Sequence, residues 1–152
     1  MKKVSINSKC PCGSGLKYKK CCHKFHKGVR ASSALELMKS RYSAYVVGDA
    51  KYIIKTTHNN NSDFTTDIKT WSKSIIDFSN NSDFLSLKIL EVENRDNEAF
   101  VKFKVIFSNS TMIEKSRFLK VNNIWLYESG IYEFEYATCS NTKSIETRNN
   151  IL

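Results

Sequence analysis

Residues 68–107 read IKTWSKSIIDFSNNSDFLSLKILEVENRDNEAFVKFKVIF, and the period of the apolar residues changes inside this stretch. Ile68, Trp71, Ile75 and Phe78 fall at i, i+3, i+7 and i+10, the spacing that gathers side chains on one face of a helix. That face is expected to be buried. After Asn80-Asn81-Ser82-Asp83 the period becomes two: Leu85, Leu87 and Ile89, then Val101, Phe103, Val105 and Phe107, alternate with polar or smaller residues as half-buried strands do. A helix that gives way to strands predicts an α+β chain rather than alternating βα units.

Working outward, Ser33 with Glu36 three residues on makes a capping box, and Leu35, Met38, Tyr42, Tyr45 and Val46 follow at helical spacing. This predicts a helix to about Val47, ended by Gly48. Asp49 can cap a short successor from Lys51 to Thr57, and His58-Asn59-Asn60-Asn61-Ser62 reads as a loop. On the other side, Ile113 to Val121 and Ile124 to Phe134 continue the strand pattern. Asn94 to Asn97 and Asn122-Asn123 are the expected hairpin turns, because Asn tolerates the left-handed conformation. The expected architecture is three helices held in a curved sheet of four antiparallel strands. The polar tail from Thr138 is expected to be frayed.

Residues 1–28 differ in kind, with four of the five cysteines, three of the five glycines and the only proline. That is the composition of a turn-rich module ordered by a ligand rather than by a core. The expected division is a module over 1–28, an α+β domain over 31–137 and a tail over 138–152. The cysteines stand as Cys10-Pro11-Cys12, then eight residues, then Cys21-Cys22. In extended chain, residues two apart face the same way, so Cys10 and Cys12 can point at one ion. Gly13 and Gly15 let the chain turn back and bring Cys21 and Cys22 to the other side. Four thiolates suit a tetrahedral zinc ion, so one structural zinc on Cys10, Cys12, Cys21 and Cys22 is expected, with His23 as an alternative to Cys22. A Cys21–Cys22 disulfide would be strained, since adjacent Cα atoms are about 3.8 Å apart against a floor of roughly 4.4 Å. A crossed pair of bridges needs an oxidising compartment. Thiol-based redox sensing, with oxidation expelling the metal, is a further reading of the same residues.

The formal charge of +9 is confined to one end of the chain. Residues 1–30 hold nine Lys or Arg and no acid; the other fifteen basic residues are balanced by all fifteen acidic ones. The chain has no apolar run of membrane-spanning length and no signal-peptide pattern, so a cytoplasmic protein without a membrane partner is expected. Lys17, Tyr18, Lys19, Lys20 and Lys24 form a basic, aromatic-bearing segment suited to an acidic protein surface, a ribosome or RNA. Gly13-Ser14-Gly15 before Lys17 does not read as a phosphate loop, because no strand precedes it and the Gly-Lys-Ser/Thr ending is missing.

CPCGSGLKYKKCCH at Cys10 to His23 resembles the SEC-C motif found at the C-terminal tail of the protein-translocation motor ATPase and on many other bacterial proteins. In that family the positions of Cys10, Cys12, Cys21 and Cys22 bind zinc, and in the translocase the module docks on a chaperone and on the ribosome. LMKSRYSAYVVGDAKYIIKTTH at Leu37 to His58 and EKSRFLKVNNIWLYESG at Glu114 to Gly130 resemble the YchJ-like family. That resemblance implies a cone-shaped α+β domain similar to nuclear transport factor 2. Two departures stand out: Thr57 occupies a position where many relatives have Trp, and the tail holds only Cys139 where many carry a second SEC-C motif.

A cone can hold a ligand pocket, and Tyr42, Tyr45, His58, Trp71, Arg117 and Trp125 are the residues expected to line it. No nucleophile–base set, paired carboxylates or H-E-x-x-H motif stands out. The function expected is therefore a zinc-containing binding or adaptor protein rather than an enzyme. The competing expectation is a hydrolyase or isomerase-like enzyme that uses polar residues inside the cone. Oligomeric state stays open, a homodimer included.

Overall fold

The structure is a computed structural model that describes residues 4–136 in full and the backbone of residues 144–149. A 3-10 turn over Tyr18–Lys20 and helix α1 (Cys22–His26) belong to the cysteine segment. Helices α2 (Ala34–Val47), α3 (Ala50–Lys55) and α4 (Ile68–Asn80) follow. The chain then forms β1 (Phe84–Asn94), β2 (Glu98–Phe107), β3 (Ser110–Val121), β4 (Ile124–Tyr136) and β5 (Ser144–Asn149). These strands make one antiparallel sheet in the order β1-β2-β3-β4-β5, so each strand pairs with its neighbours in sequence.

The local signals act as read. Ser33 accepts from the Glu36 N–H, though the carboxylate of Glu36 reaches back to the backbone and hydroxyl of Ser32 rather than to Ser33. Gly48 ends α2 at φ 78°, a left-handed conformation that glycine adopts without penalty. Asp49 caps α3 by accepting from Tyr52 N–H, and Asp67 caps α4 by accepting from Thr70 N–H. Asn122 and Asn123 hold φ 51° and 62° and close the β3–β4 hairpin.

One face of the sheet packs on the helices. Val101, Phe103, Val105 and Phe107 of β2, Met112 and Phe118 of β3, and Tyr127, Tyr132 and Phe134 of β4 are buried against Leu37, Met38, Tyr42 and Tyr45 of α2, with Ile53, Trp71 and Ile75. Register shifts between Ile89 and Glu91 and between Arg117 and Phe118 insert extra residues that bend the sheet around the helices. Helix α2 is enclosed on nearly every side; even its polar Ser40, Arg41 and Ser43 are buried.

Two expectations need correction. Ile68 does not share the buried face of α4: it is 49% exposed, and burial begins one turn later at Trp71. The tail is not frayed throughout, because residues 144–149 add a fifth strand. The unpaired backbone edge of β4 accounts for this, since an open strand edge is satisfied by any segment able to extend beside it. Cys139 lies outside the described residues. No helix among the described residues is long and apolar enough to cross a membrane.

Candidate metal centre

The cysteine segment folds as a small hairpin joined to a helical turn. Cys10 N–H donates to Leu16 O at 2.8 Å and Tyr18 N–H to Ser8 O at 2.8 Å, flanking a bridge between Lys9 and Lys17. Gly13 and Gly15, both at φ 82°, turn the chain so that it returns to the first cysteine pair. The Sγ atoms of Cys10, Cys12, Cys21 and Cys22 all lie within 4.8 Å of one another, and Cys12 Sγ to Cys21 Sγ is 3.6 Å. A tetrahedron with metal–sulfur bonds of about 2.3 Å has edges of about 3.8 Å, so the cluster is of the size that holds one ion.

None of the four is bridged, and Cys10, Cys12 and Cys22 are buried. Hydrogen bonds from Cys12 and Cys22 pull Cys10 down strongly, while its bond to Cys10 pushes Cys12 up to about 11 and that to Cys10 pushes Cys22 up. A cation placed among crowded thiols favours their deprotonated forms. The arrangement can therefore hold a metal ion. His23 is not in the cluster; its ring meets Tyr18 edge-on at 5.0 Å.

The cone supplies one wall of this site. Ser43 Oγ of α2 lies 3.7 Å from Cys10 Sγ, and Val47 and Leu87 pack against the cysteines. A second fastening is His26, whose Nε2–H donates to Ser40 O at 2.8 Å. That assigns Nδ1 as acceptor from Tyr18 Oη at 2.6 Å, and the imidazole packs on Tyr52 at 4.7 Å. Desolvation lowers the His26 pKa, so the ring is held neutral between the two units.

Of the residues expected to meet a partner, Lys17, Lys19, Lys20 and Lys24 are exposed. Tyr18 is not available: it is 5% exposed and committed to His26. The residues expected to line one pocket are dispersed. Tyr45 and Trp71 line a cavity of about 620 Å³ with Asp63, Tyr132 and Phe134. Trp125 lines a different cavity, and Tyr42 is buried against Phe84. His58 builds the loop, its N–H donating to Tyr127 O and its Nδ1 accepting from Asn60 N–H. Arg117 is outside the cone, because it occupies the sheet face opposite the core and pairs there with Glu98 and Glu128.

Sequence reasoning missed the charged groups inside the cone. Arg41 is 3% exposed and donates to Ile53 O, Thr56 Oγ1 and Thr57 Oγ1. Glu114 is fully buried and accepts from Ser116 Oγ and from Tyr127 Oη. The signal existed: Arg41 falls on the buried stripe with Leu37 and Tyr45, and Glu114 on the inward period with Met112 and Ser116.

Comparison with known proteins fits this geometry. A family model described as "YchJ, middle NTF2-like domain" matches residues 33–130, and the SEC-C motif model matches residues 7–24. The chain belongs to the YchJ family. Among YchJ-family relatives, the UPF0225 protein YchJ of Shigella dysenteriae is 36% identical over 128 residues, covering 80% of this chain and 81% of its own. A UPF0225 protein of Streptomyces coelicolor is 34% identical over 127 residues, covering 80% and 93%. The solution structure of a SEC-C motif protein from Rhodopseudomonas palustris superimposes with a TM-score of 0.69 at 30% identity, covering 80% of this chain and 95% of that one. A crystal structure of a SEC-C motif protein from Psychrobacter arcticus gives 0.57 at 25% identity, covering 95% and 81%. The NTF2-like middle domain and the adjoining cysteine cluster are thus both family features in this YchJ chain.

Proposed function

We propose that this YchJ-family chain is a zinc-containing, non-enzymatic binding protein whose basic N-terminal module contacts an acidic protein or ribosomal surface, the cone serving as its scaffold. The observation that carries the reading is the coincidence of the four-sulfur cluster with the whole of the chain's excess charge. Zinc is favoured over other ions because four thiolates in a closed site match its preferred structural coordination. Lys17, Lys19, Lys20 and Lys24 are exposed around the cluster, and the apolar Leu16 is 54% exposed among them. A concentration of exposed cations in one short segment favours a partner whose potential is complementary and speeds encounter with it.

The experiment is co-sedimentation and pull-down of the zinc-loaded protein with purified ribosomes and with lysate proteins of the native host. Wild type is compared with a variant carrying Lys17→Glu, Lys19→Glu, Lys20→Glu and Lys24→Glu, which leaves the sulfur cluster untouched. Loss of recovery in the charge-reversed variant supports the reading. Equal recovery of the same species by both proteins overturns it, and metal analysis showing less than one zinc per chain overturns the metal assignment.

A further inference from the structure

A cavity of about 290 Å³ lies on the seam between the cysteine module and the cone. Its floor is made by Phe25 of α1, Leu37 of α2, Tyr52 of α3 and Trp125 of β4, all buried apolar or aromatic side chains contributed by four different elements. Its rim carries Arg30 and Lys55, both exposed, and none of its described lining residues is acidic. Neither cation has a hydrogen-bond or ion-pair partner among the described residues. Beyond the cavity's lining, Lys120 holds its Nζ 5.5 Å from the centroid of the Trp125 ring.

An aromatic floor releases water when an apolar body covers it, and two cations on one rim with no acidic residue in the described lining favour an anion there. The guanidinium of Arg30 can meet a carboxylate with two parallel N–H donors, and Lys55 adds a point charge beside it. A site at the junction of two units, mostly apolar with a few polar groups at one side, has the general form of a small-molecule site. We propose that this seam cavity binds a small apolar carboxylate, its body on Trp125 and Tyr52 and its head group between Arg30 and Lys55. The site depends neither on which metal the cluster holds nor on the partner of the lysine face. Because its walls come from both units, an occupant also ties the module to the cone.

The chain has only two tryptophans, and they report on different cavities: Trp125 on this one and Trp71 on the larger one. The test titrates zinc-loaded, 15N-labelled protein with 2-naphthoate and with its neutral analogue 2-naphthamide, following the two indole N–H signals. Naphthoate is expected to shift the Trp125 signal saturably while leaving Trp71 in place, and to bind at least about tenfold more tightly than the amide. The double variant Arg30→Glu/Lys55→Glu changes only exposed side chains and is expected to keep the unliganded spectrum while losing that preference. The proposal is overturned if neither probe moves Trp125, if the amide binds as tightly as the acid, if Trp71 responds first, or if the charge-reversed protein binds naphthoate as well as wild type.

Discussion

The guanidinium of Arg41 lies 4.5 Å from the centroid of the Tyr127 ring, a cation over an aromatic face in the middle of the core. The hydroxyl of the same ring donates to Glu114 at 3.3 Å, so Tyr127 stands between a buried guanidinium and a buried carboxyl group. Burying such groups is costly unless every hydrogen bond is made, and no buried side-chain polar atom among the described residues lacks a partner.

Removing one member should therefore cost more than a typical surface change. Arg41→Met is expected to lower unfolding stability by about 3 kcal/mol, because it removes the buried donor shared by Thr56 Oγ1, Thr57 Oγ1 and the Ile53 carbonyl and takes the guanidinium off the Tyr127 ring. Tyr127→Phe, which deletes only the donor to Glu114, should cost about 1–3 kcal/mol. Urea unfolding of the two single variants and the double variant checks both values. A double-variant loss smaller than the sum of the two is expected for groups in contact.

Gly130 lies against the same Tyr127–Glu114 pair. A Cβ at this position would lie 2.5 Å from Tyr127 Oη and 2.6 Å from Glu114 Oε2, well inside contact distance. Gly130→Ala is expected to destabilise by about 1–3 kcal/mol, the usual cost of an added methyl group in a filled core. A thermal melt within a degree of wild type would refute this account of the site.

Metal removal should act locally first. If the four sulfurs hold an ion as proposed, a chelator removes the tie that joins the cysteine segment, while the helix-and-sheet core keeps its own buried contacts. Trypsin is expected to cut at Lys17, Lys19, Lys20 and Lys24 at least about tenfold faster than in the metal-loaded protein, with the sheet signal in circular dichroism retained. Cys22→Ser should mimic the chelator without one.

The seam also predicts a pH response. His26 has a lowered pKa in the folded protein because burial disfavours its charged form, so below its ordinary value of about 6.5 the unfolded chain binds the extra proton first. Stability should be full above that pH and fall as the pH drops beneath it. His26→Gln should flatten this part of the profile, measured as melting temperature between pH 7.5 and 5.5 with metal bound and the metal content checked at each point.

Much of this was legible in the chain. The switch from period 3.6 to period 2 at Asn80–Asp83 marks the passage from α4 to β1, and Ser33, Gly48, Asp49 and the Asn122-Asn123 pair act locally, so their effect does not depend on the rest of the fold. The sulfur cluster was legible for the same reason, its spacing being set within one hairpin and the helical turn that follows it. What escaped is what tertiary packing decides. Arg41 and Glu114 look like surface charges until α2 is enclosed on all sides, and Tyr18 looks like an exposed aromatic until His26 is placed beside it. The strand β5 escaped because the edge it completes belongs to β4, not to its own residues.

The wall that Ser43, Val47 and Leu87 give to the cysteine site bears on how the protein is made. Synthesis runs from the N-terminus, so all four thiols leave the ribosome before the helix and the strand they rest on. The four proposed ligands are therefore available before Leu87 has emerged and β1 has joined the sheet, so the sulfur set and its apolar wall are completed at different times. A fragment ending before Phe84 would thus carry the ligands without their floor, and its ion should exchange faster than that of the finished chain.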